Sequence, residues 1–243
     1  MTGGSSGIGR ATALELEKLG YSVMSIDVSQ MSKDELSVED AAASRYIRHY
    51  ICDVADTQKI EEIYKEERAR GAALGAIVAC AAVAWSYAPA QITDAEWDRV
   101  HDINLRGSFR TLQLGAEWMA QSGGGSLVAL SSGAAFSGWK DHIHYSSTKA
   151  AILGMVKGLC KEYGPQAIRA NAVLPGLIRT AQSLSKDSFG EEGMEAYRPN
   201  IPLQRIGEPE DVAKLIAFLC SDNASYITGA AITIDGGIGG GFH

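Results

Sequence analysis

The sequence predicts one domain of the α/β class, a doubly wound parallel sheet with helices on both faces. Three observations carry that expectation. Short strand-like runs alternate with helical segments along the whole chain. The strand segments are near-continuous apolar runs rather than in–out alternations, as befits a sheet covered on both sides. A glycine-rich turn stands directly ahead of the first helical segment.

In chain order, Thr2–Gly9 is a glycine loop that leads into a helix over Ile8–Leu19, followed by a strand over Ser22–Ile26. Tyr46–Ile51 reads as the next strand, Thr57–Arg70 as a helix and Ala76–Ala81 as a strand. Glu96–Ala120 reads as one long helix, Ser126–Ser131 as a strand and Tyr145–Tyr163 as a helix. Arg169–Leu174, Pro209–Cys220 and Ala231–Ile234 complete the series as strand, helix and strand, and Gly236–Gly241 reads as a flexible tail. With 243 residues, no Pro/Ser-rich linker and no break in composition, residues 1–243 form one domain. A chain of that length buries about 70–75% of its unfolded surface and needs no metal or disulfide staple. The stretch 180–203 stands apart: Ser183, Ser185, Ser188, Gly190, Gly193 and Pro199 mix with charges between a strand end and the last helix, the composition of a substrate lid.

Composition narrows the function classes. The net charge is −7 and the 22 basic residues form no run, so no nucleic-acid partner is expected. No apolar stretch reaches the ~18–20 residues that span a bilayer, and no leader peptide is visible, so a cytoplasmic protein without a membrane partner is expected. Cys52, Cys80, Cys160 and Cys220 are scattered, which predicts buried thiols in a reducing compartment. His142 and His144 share one face of an extended segment but have only Asp141 nearby as a third ligand, so no metal is expected.

The loop Gly3-Gly4-Ser5-Ser6-Gly7-Ile8-Gly9 spaces its glycines as G-x-x-x-G-x-G. Gly3, Gly7 and Gly9 allow a tight turn and close backbone approach to a phosphate, which the helix N-terminus then faces with free N–H groups. Asp27 stands at the end of the strand Ser22–Ile26, 18 residues past Gly9, where a carboxylate accepts hydrogen bonds from a ribose 2′-OH and repels a 2′-phosphate. With Val28-Ser29 following and no nearby cation, NAD is favoured over NADP. Gly3–Gly7 also satisfies G-x-S-x-G, so a serine nucleophile at Ser5 is a rival reading, but it needs a late histidine and only His243 qualifies.

Tyr145-Ser146-Ser147-Thr148-Lys149 puts a tyrosine and a lysine at i and i+4 on one helix face, and Ser132 precedes Tyr145 by 13 residues. An ammonium beside a phenol favours the phenolate; moving a tyrosine from pKa about 10 to about 7 requires roughly 4 kcal/mol.

These stretches together resemble the short-chain dehydrogenase/reductase family, which has a Rossmann-like fold. The matching runs are Thr2–Gly9, Asp53-Val54, Asp102–Gly107, Ser131-Ser132, Tyr145–Lys149, Asn171–Thr180, Pro202–Gly207, Pro209–Ala213 and Ile234–Gly237. The resemblance implies an oxidoreductase that moves a hydride between NAD(H) and a secondary alcohol or ketone. By that resemblance Tyr145 is the general acid/base, Lys149 lowers its pKa and holds the nicotinamide ribose, Ser132 binds the substrate oxygen, and Asn104 holds a water that relays protons from Lys149. It likewise implies that Gly3, Ser5, Ser6, Gly7, Ile8 and Gly9 cradle the cofactor. Asp27 takes the ribose, Asp53 and Val54 flank the adenine with Ala81 nearby, and Pro175, Gly176, Ile178 and Thr180 flank the carboxamide. Trp85, Phe136, Trp139, His142 and Tyr197 fall on the implied substrate side. A homotetramer through the helices Glu96–Ala120 and Tyr145–Tyr163 is also implied.

Two departures from the family pattern stand out. Its usual Asn-Asn-Ala-Gly run is Ala79-Cys80-Ala81-Ala82 here, where Ala82 narrows the cofactor's approach by a methyl group. The apolar strand that normally precedes the glycine loop is reduced to Met1. Losing a central strand leaves two neighbours unpaired and costs on the order of 10 kcal/mol, which predicts that upstream residues or another segment fill the gap. The alternatives on this reading are a non-catalytic dinucleotide-binding regulator of the same fold and a 3-oxoacyl-type reductase. Carrier-protein reductases place basic docking residues where this chain has Gln121–Gly125, which favours a neutral or aromatic alcohol or ketone.

Overall fold

The computed structural model describes residues 1–31, 47–185 and 188–239. The chain runs α1 Gly7–Lys18, β1 Val23–Asp27, β2 Ile47–Ile51, α2 Thr57–Ala69, β3 Ala76–Ala79, α3 Asp94–His101 and α4 Ser108–Met119. It continues β4 Gly125–Leu130, α5 Ala134–Ser137, α6 Ile143–Tyr163 and β5 Ile168–Pro175, and then α7 Ala181–Leu184, α8 Gly190–Tyr197, α9 Pro209–Cys220 and β6 Ala231–Ile234. Tyr46, Lys186, Asp187 and the end of the glycine tail lie outside the described residues.

All strand pairs are parallel, with β1 beside β2 and the order β3–β4–β5–β6 in the larger part of the sheet. Successive strand residues feed two cores on opposite faces. Ile77 and Ala79 of β3, Leu127 and Ala129 of β4, and Ala170, Ala172 and Leu174 of β5 join Ile60, Ile63, Leu112, Ile152 and Val156 from α2, α4 and α6. The intervening Val78, Val128 and Val173 join Ala13 and Leu16 of α1 and Val212 and Ile216 of α9. Both faces being apolar is why these strands read as continuous hydrophobic runs. β2 is the exception. There Arg48 and the Tyr50 hydroxyl both bond to Glu67 of α2, which charges and covers an edge strand.

The gap expected at the head of the sheet is partly closed. Thr2 bridges both Ile26 and Ala79. Thr2 N donates to Val78 O (3.0 Å), Gly3 N to Ile26 O (2.8 Å) and Ile26 N to Met1 O (2.9 Å). The carboxyl ends of β1 and β3, where the glycine loop starts, are therefore stitched together. Towards their amino ends a cavity of about 120 Å³ remains, with Met1, Leu16, Val23, Met24, Ile77 and Trp118 in its wall. The expected loss of pairing is thus confined to that end of the two strands.

The segment read as one helix over Glu96–Ala120 is continuous but changes helix type midway. Between α3 and α4, Asp102–Gly107 forms a π-helical turn with Asn104 buried inside it. The lid is no open loop either. α7 and α8 fold over a small core of Leu177, Met194, Ile201 and Ile206, and Arg179 ties to Glu191 and Glu195. Cys52 and Cys220 are buried thiols, whereas Cys80 and Cys160 are only partly buried. No helix among the described residues is long and apolar enough to cross a membrane.

Candidate active site

A cleft of about 480 Å³ opens at the carboxyl ends of the strands. Its walls come from the Gly3–Gly9 loop, Asp27, Asp53-Val54, Cys80–Trp85, Ser131-Ser132, Tyr145, Lys149, Pro175–Ile178 and Thr180. Such a position, at the strand ends of a doubly wound sheet, is where that architecture leaves a crevice.

At one end lies the glycine loop. Gly3 has φ +70, and a Cβ there would meet Ala81 N at 2.7 Å and Ala81 Cα at 2.8 Å. A Cβ on Gly9 would collide with the carbonyl of Gly3. The Ser6 side chain makes no cap hydrogen bond on α1, which leaves the first-turn N–H groups of that helix uncapped by it. The Asp27 carboxylate is fixed at the end of β1, where Oδ2 accepts Ser5 N (3.0 Å) and Oδ1 accepts Ser29 N (3.2 Å). The cradle, the free helix end and this oriented carboxylate fit a dinucleotide. Ser5 supports the loop rather than facing the cleft: it is buried, and its hydroxyl lies 3.0 Å from that of Ser29. That corrects both its expected cofactor contact and the rival nucleophile reading, whose His243 lies outside the described residues.

Asp53 and Val54 line the cleft beyond Asp27. Burial raises the Asp53 carboxyl, but hydrogen bonds from Arg99 and from Ala55 N (2.9 Å) outweigh it and hold the group below the usual range. Arg99 also lines the cleft. No motif in the sequence marks it, because its role depends on α3 lying beside the turn after β2.

At the other end, Tyr145 and Lys149 occupy adjacent turns of α6 and Ser132 follows β4. All three are buried and all three line the cleft. The Ser132 hydroxyl accepts Ala134 N at 3.2 Å. Lys149 Nζ donates to Leu130 O at 2.8 Å, and its backbone carbonyl accepts the Ser131 hydroxyl at 2.7 Å. Burial pushes the Lys149 ammonium down to about 8. Burial also raises the Tyr145 phenol above its ordinary value, with the nearby Ser132 side chain opposing. The sequence predicts that the ammonium favours the phenolate; burial acts in the opposite direction and favours the neutral phenol.

The Asn104 side chain is fixed by hydrogen bonds. Its Oδ1 accepts Val83 N (2.8 Å), and its Nδ2 donates to Val83 O (2.9 Å) and to Thr148 Oγ1 (3.3 Å). The amide is therefore engaged by the strand-end loop and by α6. The Asn104 carbonyl accepts the Ser108 hydroxyl (2.8 Å). The residue clamps the segment Cys80–Trp85, where the family's asparagines are replaced, to α6.

Aromatic rings gather at the Tyr145 end of the cleft. The Trp139 indole stacks on Tyr145 (centroids 5.7 Å, planes 28° apart), and Phe189 meets it edge-on (5.9 Å, 83°). Trp85, Trp139 and Phe189 line the cleft. Phe136 is exposed, and neither it nor His142 nor Tyr197 lines the cleft; Tyr197 packs against Phe189 instead (6.0 Å). His142 and His144 do not share an extended face. His142 precedes the first residue of α6 with Nδ1 on Lys140 O (2.8 Å), while His144 is buried within the helix against Tyr87. Sequence reasoning missed Phe189, whose only mark was an aromatic residue inside the lid.

Comparison with known proteins places this cleft in context. A family model described as enoyl-(acyl carrier protein) reductase matches residues 3–239. A 3-oxoacyl-[acyl-carrier-protein] reductase of Thermotoga maritima is 34% identical over 98% of this chain and 96% of its own length. Levodione reductase superposes with a TM-score of 0.89 at 28% identity, covering 99% of this chain and 96% of that one. The enzyme ElxO with NADP bound gives a TM-score of 0.88 at 29% identity, covering 98% and 96%.

Proposed function

Because the chain belongs to the short-chain dehydrogenase/reductase family and is an oxidoreductase, we propose that it moves a hydride between NAD(H) and a secondary alcohol or its ketone, with Tyr145 giving and taking the proton. One observation carries the reading: the Tyr145 phenol and the Ser132 hydroxyl line the same cleft as the glycine cradle. The nicotinamide dinucleotide, when bound, supplies or accepts the hydride. Gly3, Gly7 and the start of α1 would hold its phosphates, Asp27 its adenosine ribose, and Lys149 its second ribose. In reduction the Tyr145 hydroxyl donates its proton to the carbonyl oxygen as charge develops there, and the Ser132 hydroxyl bonds the same oxygen. Oxidation reverses the proton's path. Holding the reacting carbon in place supplies much of the rate.

Asp27 supports NAD, because a 2′-phosphate would meet a carboxylate already oriented by Ser5 N and Ser29 N. Titration with NADH and NADPH tests this part, and tighter binding of NADPH would remove it. The mechanism itself rests on Tyr145→Phe losing turnover, and unchanged turnover ends it. A 3-oxoacyl substrate is the second reading, supported by the name of the Thermotoga maritima relative. A homotetramer through α4 and α6 also belongs to the proposal. An open hollow lined by His101, Leu105, Phe109 and Met155 supports it, and a monomer by light scattering would end it.

A further inference from the structure

We propose that Trp139 is a positioning residue for the reaction: its indole covers the Tyr145 ring against water and so keeps the phenol a proton donor, with Phe189 of the lid holding the indole in place. The inference rests on the acid/base reading of Tyr145 above and deepens it.

Tyr145 lines an open cleft, yet only 9% of its surface is exposed. The indole accounts for part of that cover. Its ring lies against the Tyr145 ring, with centroids 5.7 Å apart and planes 28° apart, inside the range of packed aromatic pairs. The turn that carries Trp139 is pinned at three points. Trp139 N donates to Ser146 Oγ (3.1 Å), one residue beyond Tyr145 on α6. His142 N donates to Trp139 O (3.2 Å), and Tyr87 N donates to Asp141 O (2.8 Å). The indole is thereby anchored to the helix that carries the phenol. From the lid, Phe189 meets the indole edge-on at 5.9 Å, and Tyr197 backs Phe189 at 6.0 Å. Through this series of contacts the seating of the lid bears on the phenol.

Solvation gives the cover its chemical effect. Water and nearby positive charge favour the phenolate, whereas apolar cover favours the neutral phenol. The titratable groups beside the ring are Lys149 of the same helix, 5.5 Å from its centre, and His142 of the turn, edge-on at 6.3 Å. The cleft wall adds Cys80 after β3 and, towards the glycine loop, Asp27 and the Asp53–Arg99 pair. A cation at Lys149 or His142 favours the phenolate, yet burial is the largest influence on Tyr145 and acts against it. An uncharged indole packed on the ring adds to that burial.

An NMR titration of the full chain, with its tyrosines carrying carbon-13 at Cζ, tests the cover without any substrate. The Tyr145 signal is the one absent from Tyr145→Phe. In Trp139→Ala the phenol should ionise at a pH lower by about 0.5 or more, a roughly threefold rise in the ratio of phenolate to phenol. Trp139→Phe, which keeps a ring on the phenol, should restore most of the parent behaviour. Phe189→Ala leaves the indole in place but unbacked, and should shift the ionisation in the same direction by less. It is also the variant to read if Trp139→Ala does not fold. A Trp139 that only supports the fold would lower the melting temperature and leave the Tyr145 ionisation where it is. That result, or ionisation at a higher pH, overturns the cover, and an unchanged ionisation in Phe189→Ala removes the part given to the lid. The acid/base reading fails separately, through a Tyr145→Phe protein that still turns over, and the titration then still decides whether Trp139 covers the phenol.

Discussion

The Lys149 ammonium stands 5.5 Å from the centre of the Tyr145 ring while donating its hydrogen bond to Leu130 O at 2.8 Å. The two residues are neighbours on one helix, yet burial raises the phenol and lowers the amine instead of forming a phenolate–ammonium pair. In the proposed reaction, Tyr145 therefore begins as a proton donor, which is the form that reduction requires. Oxidation needs the phenolate, and a cationic nicotinamide ring adds the positive charge that favours it.

Removing the Tyr145 hydroxyl should separate chemistry from binding. In Tyr145→Phe, turnover should fall by about 10²–10⁴-fold, the usual range for a general acid/base. Fluorescence titration should show the dissociation constant for NADH changing by less than roughly threefold, because a transition-state contact contributes little to ground-state binding.

Lys149 makes a prediction about stability and pH. Unfolded, its amine holds a proton to its ordinary 10.5; folded, only to about 8. At pH 7 both states are protonated, and burying the charge costs on the order of 3 kcal/mol. Between pH 8 and 10.5 the unfolded chain binds more protons than the folded one, so this penalty fades as pH rises. Lys149→Met removes the penalty but leaves Leu130 O without its donor, a loss of about 1 kcal/mol. The variant should melt roughly 4–8 °C higher at pH 7 and closer to the parent at pH 9.5, while losing activity at both. Calorimetry at the two pH values checks the sign.

Asp27 should set the choice of dinucleotide. Asp27→Ser removes the carboxylate that accepts Ser5 N and Ser29 N. NADH affinity should fall about tenfold, as expected when hydrogen bonds to a charged group worth ~1.5–3 kcal/mol are lost, and NADPH affinity should rise. Parallel titrations read the ratio.

Asn104→Ala should act first on stability. It strips partners from Val83 N, Val83 O and Thr148 Oγ1 in the interior. Unpaired buried groups cost about 1–3 kcal/mol each, so the melting temperature should drop by roughly 5–15 °C. Activity measured well below the new melting point reports how far the Cys80–Trp85 segment has moved. Full activity there would show that the clamp is not needed for catalysis.

Much of this architecture was legible in the residues. α9 and β6 fall on the predicted Pro209–Cys220 and Ala231–Ile234, and the other core strands and helices shift by one or two residues. The π turn at Asp102–Gly107 was not legible. It changes hydrogen-bond partners within an unbroken helical run, and the groups that stabilise it, Val83 and Thr148, are remote in sequence. The substrate wall was half legible. Trp85 and Trp139 line the cleft as expected, but Phe136, His142 and Tyr197 do not, because an aromatic residue near a motif carries no record of which way its element turns.

By itself, the sequence determined the alternation of strands and helices, the two-sided burial of the sheet, and the order of glycine loop, Asp27, Ser132, Tyr145 and Lys149. These follow from periodicity, backbone freedom at glycine and spacing on one helix, all of which act over a few residues. Tertiary structure alone decided that the Asn104 amide holds Val83, that Lys149 faces Leu130 O, and that Trp139 and Phe189, 50 residues apart, meet beside one phenol. Desolvation, hydrogen-bond partners and ring contacts depend on which distant segments pack together, and only the folded chain fixes that.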